Sequence, residues 1–289
     1  MPSRPFLRAL LVGALVALAA LLALLGWRHF GGGEPDVAPA RFDPGAFVRS
    51  RPKLDAPYVV TDYEVVDAML AMAEVRPEDD VVDLGSGDGR ILIAAARSHG
   101  ARGLGVDIDP ARIREAEQNA RAAGVAHRVQ FRRQDLFETP LAEADVVTLY
   151  LTPEVNLRLR PRILAEMRPG ARVVSHDFDM GDWRPDQRQR IGSATIYLWV
   201  VPARLAGRWA LTVDGRRFVL DLTQAYQELR GTIAAGGRAV RVEQGQVAGE
   251  RVRFVADLPG GRRVFEGRAQ GDRIEPLAPD AGWRAVRAG

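Results

Sequence analysis

The chain begins with one unbroken apolar block and then changes rhythm twice. Residues 9–27 are 19 uncharged, almost wholly apolar positions, bounded by Arg4 and Arg8 on one side and Arg28 and His29 on the other. At ~1.5 Å rise per residue, a helix of that length crosses the ~30 Å hydrocarbon core of a bilayer. It has no polar face with which to lie on a protein surface. A cleaved signal peptide is the rival reading, but its apolar region is shorter, ~7–15 residues. The nearest small-x-small site, Ala38-Pro39-Ala40, also lies far beyond the run. The expectation is a transmembrane anchor over residues 1–30, with the signal peptide as alternative, then a flexible linker over 31–54. Flanking positive charge is nearly balanced and does not fix the orientation.

From residue 55 to about 201, helical periodicity alternates with short apolar runs, the pattern of a parallel sheet covered on both faces. Thr61-Asp62-Tyr63-Glu64 has capping-box spacing, with Val65, Met69 and Met72 at helical intervals behind it. Strands are expected at 80–84, 103–108, 128–131, 144–150, 171–177 and 196–201. The intervening helices should cover 91–98, stopped by Gly100, and 110–123, capped by Asp109 with Pro110 at its first position. A further helix at 152–167 should be kinked or divided by Pro161. Beyond residue 201 the rhythm becomes RWALTV, RRFVLDL, RAVRVEQ, RVRFVAD and RRVFEGR, separated by glycine turns. Asp214-Gly215 and Pro259-Gly260-Gly261 are hairpin signals, so residues 202–289 read as an antiparallel meander or small barrel. The GRWALTV segment also resembles the Gly-x-Trp opening of lipocalin-like barrels, over too short a stretch to imply more. A lid or support for the central domain competes with a partner-binding role for this region.

Composition narrows the chemistry. There is no cysteine, which excludes disulfides, thiolate metal sites and cysteine nucleophiles. The four histidines, His29, His99, His127 and His176, lack metal-ligand spacing, so no metal is expected. Forty Lys and Arg against 37 Asp and Glu leave a net charge of only +3, and the arginines are scattered among acids. That pattern argues against nucleic acid as partner.

The segment VVDLGSGDGR carries the chemistry. Gly85, Gly87 and Gly89 let the backbone turn sharply out of a strand with no side chain between chain and ligand. Asp107 ends the next strand, where an acid can accept both ribose hydroxyls. Spacing of the GxGxG kind favours S-adenosylmethionine over a nicotinamide dinucleotide. Asp83 stands where an acid holds the amino-acid part of that cofactor through the loop, and Asp135, in RRQDLF, where an acid reads the adenine amino group. Their plainer readings are a strand-end cap and a solvated loop residue. Ser86 completes the loop, and Asp88 and Arg90 shape it as readily as they bind. Tyr150, Thr152, Asp177 and Asp179 fall at the carboxyl ends of strands, the edge where open α/β sheets bind ligands. They are candidates for the acceptor site, Tyr150 and Asp177 foremost, against the plainer reading that Tyr150 packs and the acids cap a turn. Trp183 reads as a packing residue.

PYVVTDYEVVDAML, DLGSGDGRILIAAA, GVDIDP, RRQDLF and VVTLYLTPEVNLRLRP together resemble a bacterial class I methyltransferase family related to the mitochondrial lysine methyltransferases that modify the c-ring protein of ATP synthase. The resemblance covers roughly residues 55–185. It implies a Rossmann-like seven-strand methyltransferase sheet, transfer of a methyl group from S-adenosylmethionine, and a protein lysine as acceptor. It also implies that Tyr58 and Thr61 close over the cofactor, where capping by Thr61 is the alternative. The chain departs from those relatives at LYLTPEVN, where they carry a different loop. A small-molecule or lipid methyltransferase, and a non-catalytic envelope-binding protein on a methyltransferase scaffold, remain open. Because the methyl donor is made in the cytosol, the expected location is the bacterial cell membrane, single-pass, with the catalytic domain facing the cytoplasm.

Overall fold

Residues 59–288 are described by a computed structural model, and all of them fall within one compact unit. The apolar run at 9–27, the linker and Tyr58 lie outside the described residues. Among the described residues no helix is long and apolar enough to cross a membrane.

Helix α1 (Tyr63–Met72) buries Val65, Val66, Met69 and Leu70 against the sheet. Its cap is Asp62 with no side-chain bond, so the capping box expected at Thr61 does not form. Thr61 instead directs its hydroxyl to His176, 115 residues away. Strand β1 (Asp80–Leu84) leads through the glycine turn into α2 (Arg90–His99), which Gly100 ends in the left-handed conformation at φ 73°. After β2 (Arg102–Asp107), the Asp109 side chain accepts the Ala111 N–H and Pro110 opens α3 (Pro110–Ala122). Strands β3 (Val129–Arg133) and β4 (Val146–Leu149) follow, then α4 (Pro153–Glu166) and β5 (Arg172–His176). Helix α4 runs on through Pro161 and is not divided there.

The sheet order is β3-β2-β1-β4-β5-β7-β6, parallel from β3 to β5, with β7 (Ala194–Val200) antiparallel between β5 and β6 (Gln187–Ile191). Strand order reverses between β1 and β4, which makes the carboxyl ends of β1, β2 and β4 the binding edge. Sequence patterning gave no sign of β6. Its residues, QRQRI, are exposed on an outer edge, so no alternation marks them, and their charges discourage further pairing.

The last eight strands close into an antiparallel barrel: β8 (Gly207–Val213), β9 (Arg216–Ala225), β10 (Glu228–Ala235), β11 (Arg238–Ala248), β12 (Arg251–Leu258), β13 (Gly261–Gln270), β14 (Arg273–Pro276) and β15 (Trp283–Arg287). Asp214-Gly215 forms the β8–β9 turn, while β10, β14 and β15 were not apparent in the sequence. The interior is filled by side chains. Phe254 and Phe265 stack at 4.6 Å, and Trp283 meets Phe265 edge-on at 5.2 Å. Trp209 donates its indole N–H to the Leu205 carbonyl (2.9 Å) beneath the Arg287 guanidinium, which caps the start of the barrel.

The barrel braces the loop that follows β5. Tyr226 stacks on fully buried Trp183 at 6.0 Å and donates its hydroxyl to Asp182 (3.1 Å), while the Gln227 side chain donates to the Arg184 carbonyl (2.8 Å).

Candidate functional site

At the reversal point a cleft of about 940 Å³, part of it open to solvent, is lined by residues 59–61, 83, 85–88, 90–91, 106–109, 112, 134–136 and 150–151. Its floor is the glycine loop. Gly85, Gly87 and Gly89 all have positive φ (82°, 52° and 82°). At Gly89 a Cβ would sit 2.6 Å from the Phe131 ring, so both backbone conformation and close packing require glycine.

The loop is tied to the end of β2 by its own amides. Gly85 and Ser86 both donate to the Val106 carbonyl (2.9 Å each). The Asp107 carboxylate accepts the Gly87 N–H on one oxygen (3.0 Å) and the Asp109 N–H on the other (2.9 Å). Asp107 lines the cleft, and a carboxylate oxygen that accepts one N–H has capacity for a second donor such as a ribose hydroxyl. Asp83 is almost fully buried. Its Oδ1 accepts from the Thr148 hydroxyl (2.6 Å), and its Oδ2 has no partner among the described residues. Burial pushes its carboxyl up to about 7 against the opposing Thr148 bond, with Asp107 and Asp88 adding to the rise. The Ser86 hydroxyl is likewise buried without a partner among the described residues. An orphaned carboxylate oxygen and an orphaned hydroxyl beside a glycine cradle are what a cationic, amine-bearing ligand would complete.

Asp135 lines the cleft and accepts the Phe137 N–H (2.8 Å), capping the short turn Leu136–Glu138. Asp88 and Arg90 form a bidentate pair (2.5 Å at the shortest), and the Arg90 guanidinium donates to the Thr61 carbonyl (2.7 Å). They shape the loop and pin the segment before α1 across the cleft mouth.

On the acceptor side, Tyr150 lines the cleft, and its ring stacks on His176 at 3.8 Å. Asp177 and Asp179 do not reach the cleft lining. Asp177, at φ 62°, accepts the Thr195 N–H (2.8 Å) on one oxygen and faces His176 Nε2 (3.4 Å) with the other. Asp179 accepts the Gly181 N–H, and Thr152 caps α4. Two buried groups were missed. His176 joins Thr61, Tyr150 and Asp177, and Asn156 donates to the Phe178 carbonyl (3.0 Å) and to Ser175 (3.2 Å), fixing the turn after β5. A histidine and an asparagine inside apolar patterns gave no periodic signal. Among the described residues no group of acids and histidines is placed to hold a metal.

Comparison with known proteins agrees with this geometry. The ANTKMT methyltransferase domain family matches residues 83–187. A protein-lysine N-methyltransferase of Saccharolobus islandicus is 41% identical over 150 residues, 50% of this chain and 93% of that protein. The adenine nucleotide translocase lysine N-methyltransferase of Mus musculus is 34% identical over 155 residues, 54% of this chain and 66% of that protein. A crystal structure described as an RNA methyltransferase from Salinibacter ruber, in complex with S-adenosyl-L-homocysteine, is 53% identical. It superposes with a TM-score of 0.50 over 51% of this chain and 96% of its own.

Proposed function

The chain belongs to the class I S-adenosylmethionine-dependent methyltransferases, and from that premise we propose that its acceptor is the side-chain amine of a protein lysine. The cofactor supplies a methyl group on a positively charged sulfonium. In this reading Asp107 takes the ribose hydroxyls, Asp135 the adenine amino group, and Asp83 the cationic amino-acid part. Gly85, Ser86, Gly87 and Gly89 give the backbone room, and Tyr58 and Thr61 close the mouth.

Charge is the observation that carries the acceptor class. Residues 55–201 hold 24 carboxylates against 18 arginines, a net charge of −6. Among the described residues no cationic side chain is paired with Asp83, Asp107 or Asp135, which line the cleft together with Arg90 and Arg112. An acidic surface attracts a cationic side chain and repels a polyanion. The relative matched along 93% of its own length is named as a protein-lysine methyltransferase, which points the same way. Transfer from a sulfonium needs alignment more than a strong base, and an amine brought against the half-buried Tyr150 ring loses part of its hydration, which favours the neutral form.

One observation favours RNA instead. Residues 202–289 hold 15 arginines against 10 carboxylates, and the Salinibacter ruber relative is described as an RNA methyltransferase. Incubating cell extract with methyl-labelled donor separates the two. Label that survives nuclease and maps to methyl-lysine supports the proposal, and nuclease-sensitive label replaces it with the RNA reading. We further propose that residues 9–27 anchor the chain in the cell membrane with this domain on the cytoplasmic side. Alkaline-phosphatase activity from a fusion after Gly289 would reverse that orientation.

A further inference from the structure

We propose that Thr61, His176 and Asp177 form a proton exit that carries the acceptor amine's proton from the cleft to solvent. The proposal rests on the lysine reading above. Thr61 lines the cleft and is itself buried, with its hydroxyl 3.1 Å from His176 Nδ1. His176 is buried behind it, and its Nε2 faces the Asp177 carboxylate at 3.4 Å. The Asp177 side chain is 34% exposed, so the line ends at water. A carboxylate opposite Nε2 fixes the proton there, which leaves the Nδ1 lone pair to accept from Thr61.

The groups around His176 suit a base that stays neutral until used. The segment before α1 contributes Thr61 and the exposed Asp62, the residue after β4 the Tyr150 ring, the residue after β5 Asp177, and β7 the neutral Thr195 and Ile196. Burial holds the imidazole below its ordinary value, opposed by Asp177 and Asp62. His176 is therefore uncharged at neutral pH, with carboxylates near enough to ease a transient positive charge.

The step balances. An N–H bond of the acceptor ammonium breaks and its proton goes to Thr61 Oγ, whose own proton passes to His176 Nδ1. The imidazolium releases its Nε2 proton to Asp177 and then to water; once the product has left, Asp177 returns a proton from water to Nε2 while Nδ1 gives its proton back through Thr61 to water in the open cleft, which restores the starting tautomer. The nitrogen is left with the lone pair that takes the methyl group. His176 acts through Thr61 and is a positioning residue in this scheme.

The test uses the full chain with cell extract as acceptor. Lysine methylation is read by mass spectrometry at pH 7 and at about pH 9.5, near lysine's ordinary pKa of about 10.4. Thr61→Val should slow methylation about 100-fold at pH 7, within the range of acid–base contributions, and approach wild type at the higher pH, where the ammonium loses its proton without the relay. Thr61→Ser should restore the rate at pH 7. Equal rates for Thr61→Val and wild type at pH 7, or an equal loss at both pH values, overturns the relay alone. Absence of lysine methylation by the wild type at both pH values overturns the lysine reading and the relay with it. Independently of activity, ¹⁵N NMR of histidine-labelled protein, with His176→Asn assigning the signal, should show the proton on Nε2. A proton on Nδ1 overturns the relay.

Discussion

Asp83→Asn isolates the buried acid at the centre of the cleft. The carboxyl is held at about 7, against 3.8 when unperturbed, chiefly by burial. The folded value lies above the unfolded one, so the contribution of Asp83 to stability is fully present below about pH 4 and is lost as pH rises through about 7. Three pKa units at 1.36 kcal/mol each give a ceiling of about 4 kcal/mol, of which about 2–3 kcal/mol falls between pH 5 and 7. Asparagine keeps the Thr148 bond but cannot ionise. Its buried N–H₂ costs about 1–3 kcal/mol, equally at every pH. The difference in melting temperature between variant and ligand-free wild type should therefore move in the variant's favour by about 5–10 °C from pH 5 to 7. With the cationic donor present the wild type should recover, and its affinity should rise with pH over the same window while that of Asp83→Asn stays flat. Differential scanning calorimetry at both pH values, with and without ligand, reads both effects. Parallel pH dependences for the two ligand-free proteins would refute the assignment of the buried, raised acid to Asp83.

Other substitutions probe the frame around it. Gly89→Ala should destabilise by about 2–4 kcal/mol, since the new Cβ meets Phe131 at 2.6 Å while φ stays at 82°; a loss below about 0.5 kcal/mol in urea unfolding would contradict the packing. Trp183→Ala should cost about 3–5 kcal/mol, and Tyr226→Phe, which removes only the bond to Asp182, about 0.5–1.5 kcal/mol, both by chemical denaturation. If the barrel braces the loop after β5, Trp183→Ala should also raise proteolytic cleavage between residues 177 and 186, and unchanged cleavage would argue otherwise.

Much of the cofactor side was legible because local rules place it. Gly100 stops α2, Asp109 and Pro110 open α3, and Asp83 and Asp107 fall at strand ends set by apolar runs. The acceptor side depends on contacts that no local pattern encodes. His176 ends a buried strand and looks like one more core position, yet its partner Thr61 lies 115 residues earlier. Thr61 was expected to cap α1, and a long-range bond to His176 displaced that local one. Strand β6 is polar on both faces because nothing covers it. The hairpin turns marked strands after residue 201, but closure depends on β15 pairing with β8, which begin 76 residues apart.

The most direct test is calorimetric titration of S-adenosylmethionine into the full chain and into Asp107→Ala. Asp107 both holds the Gly87 amide and lines the cleft. One-to-one binding by the wild type is expected, weakened at least about tenfold, or about 1.4 kcal/mol, in the variant. No binding by the wild type, or equal affinity in the two proteins, would contradict the placement of the methyl donor in this cleft.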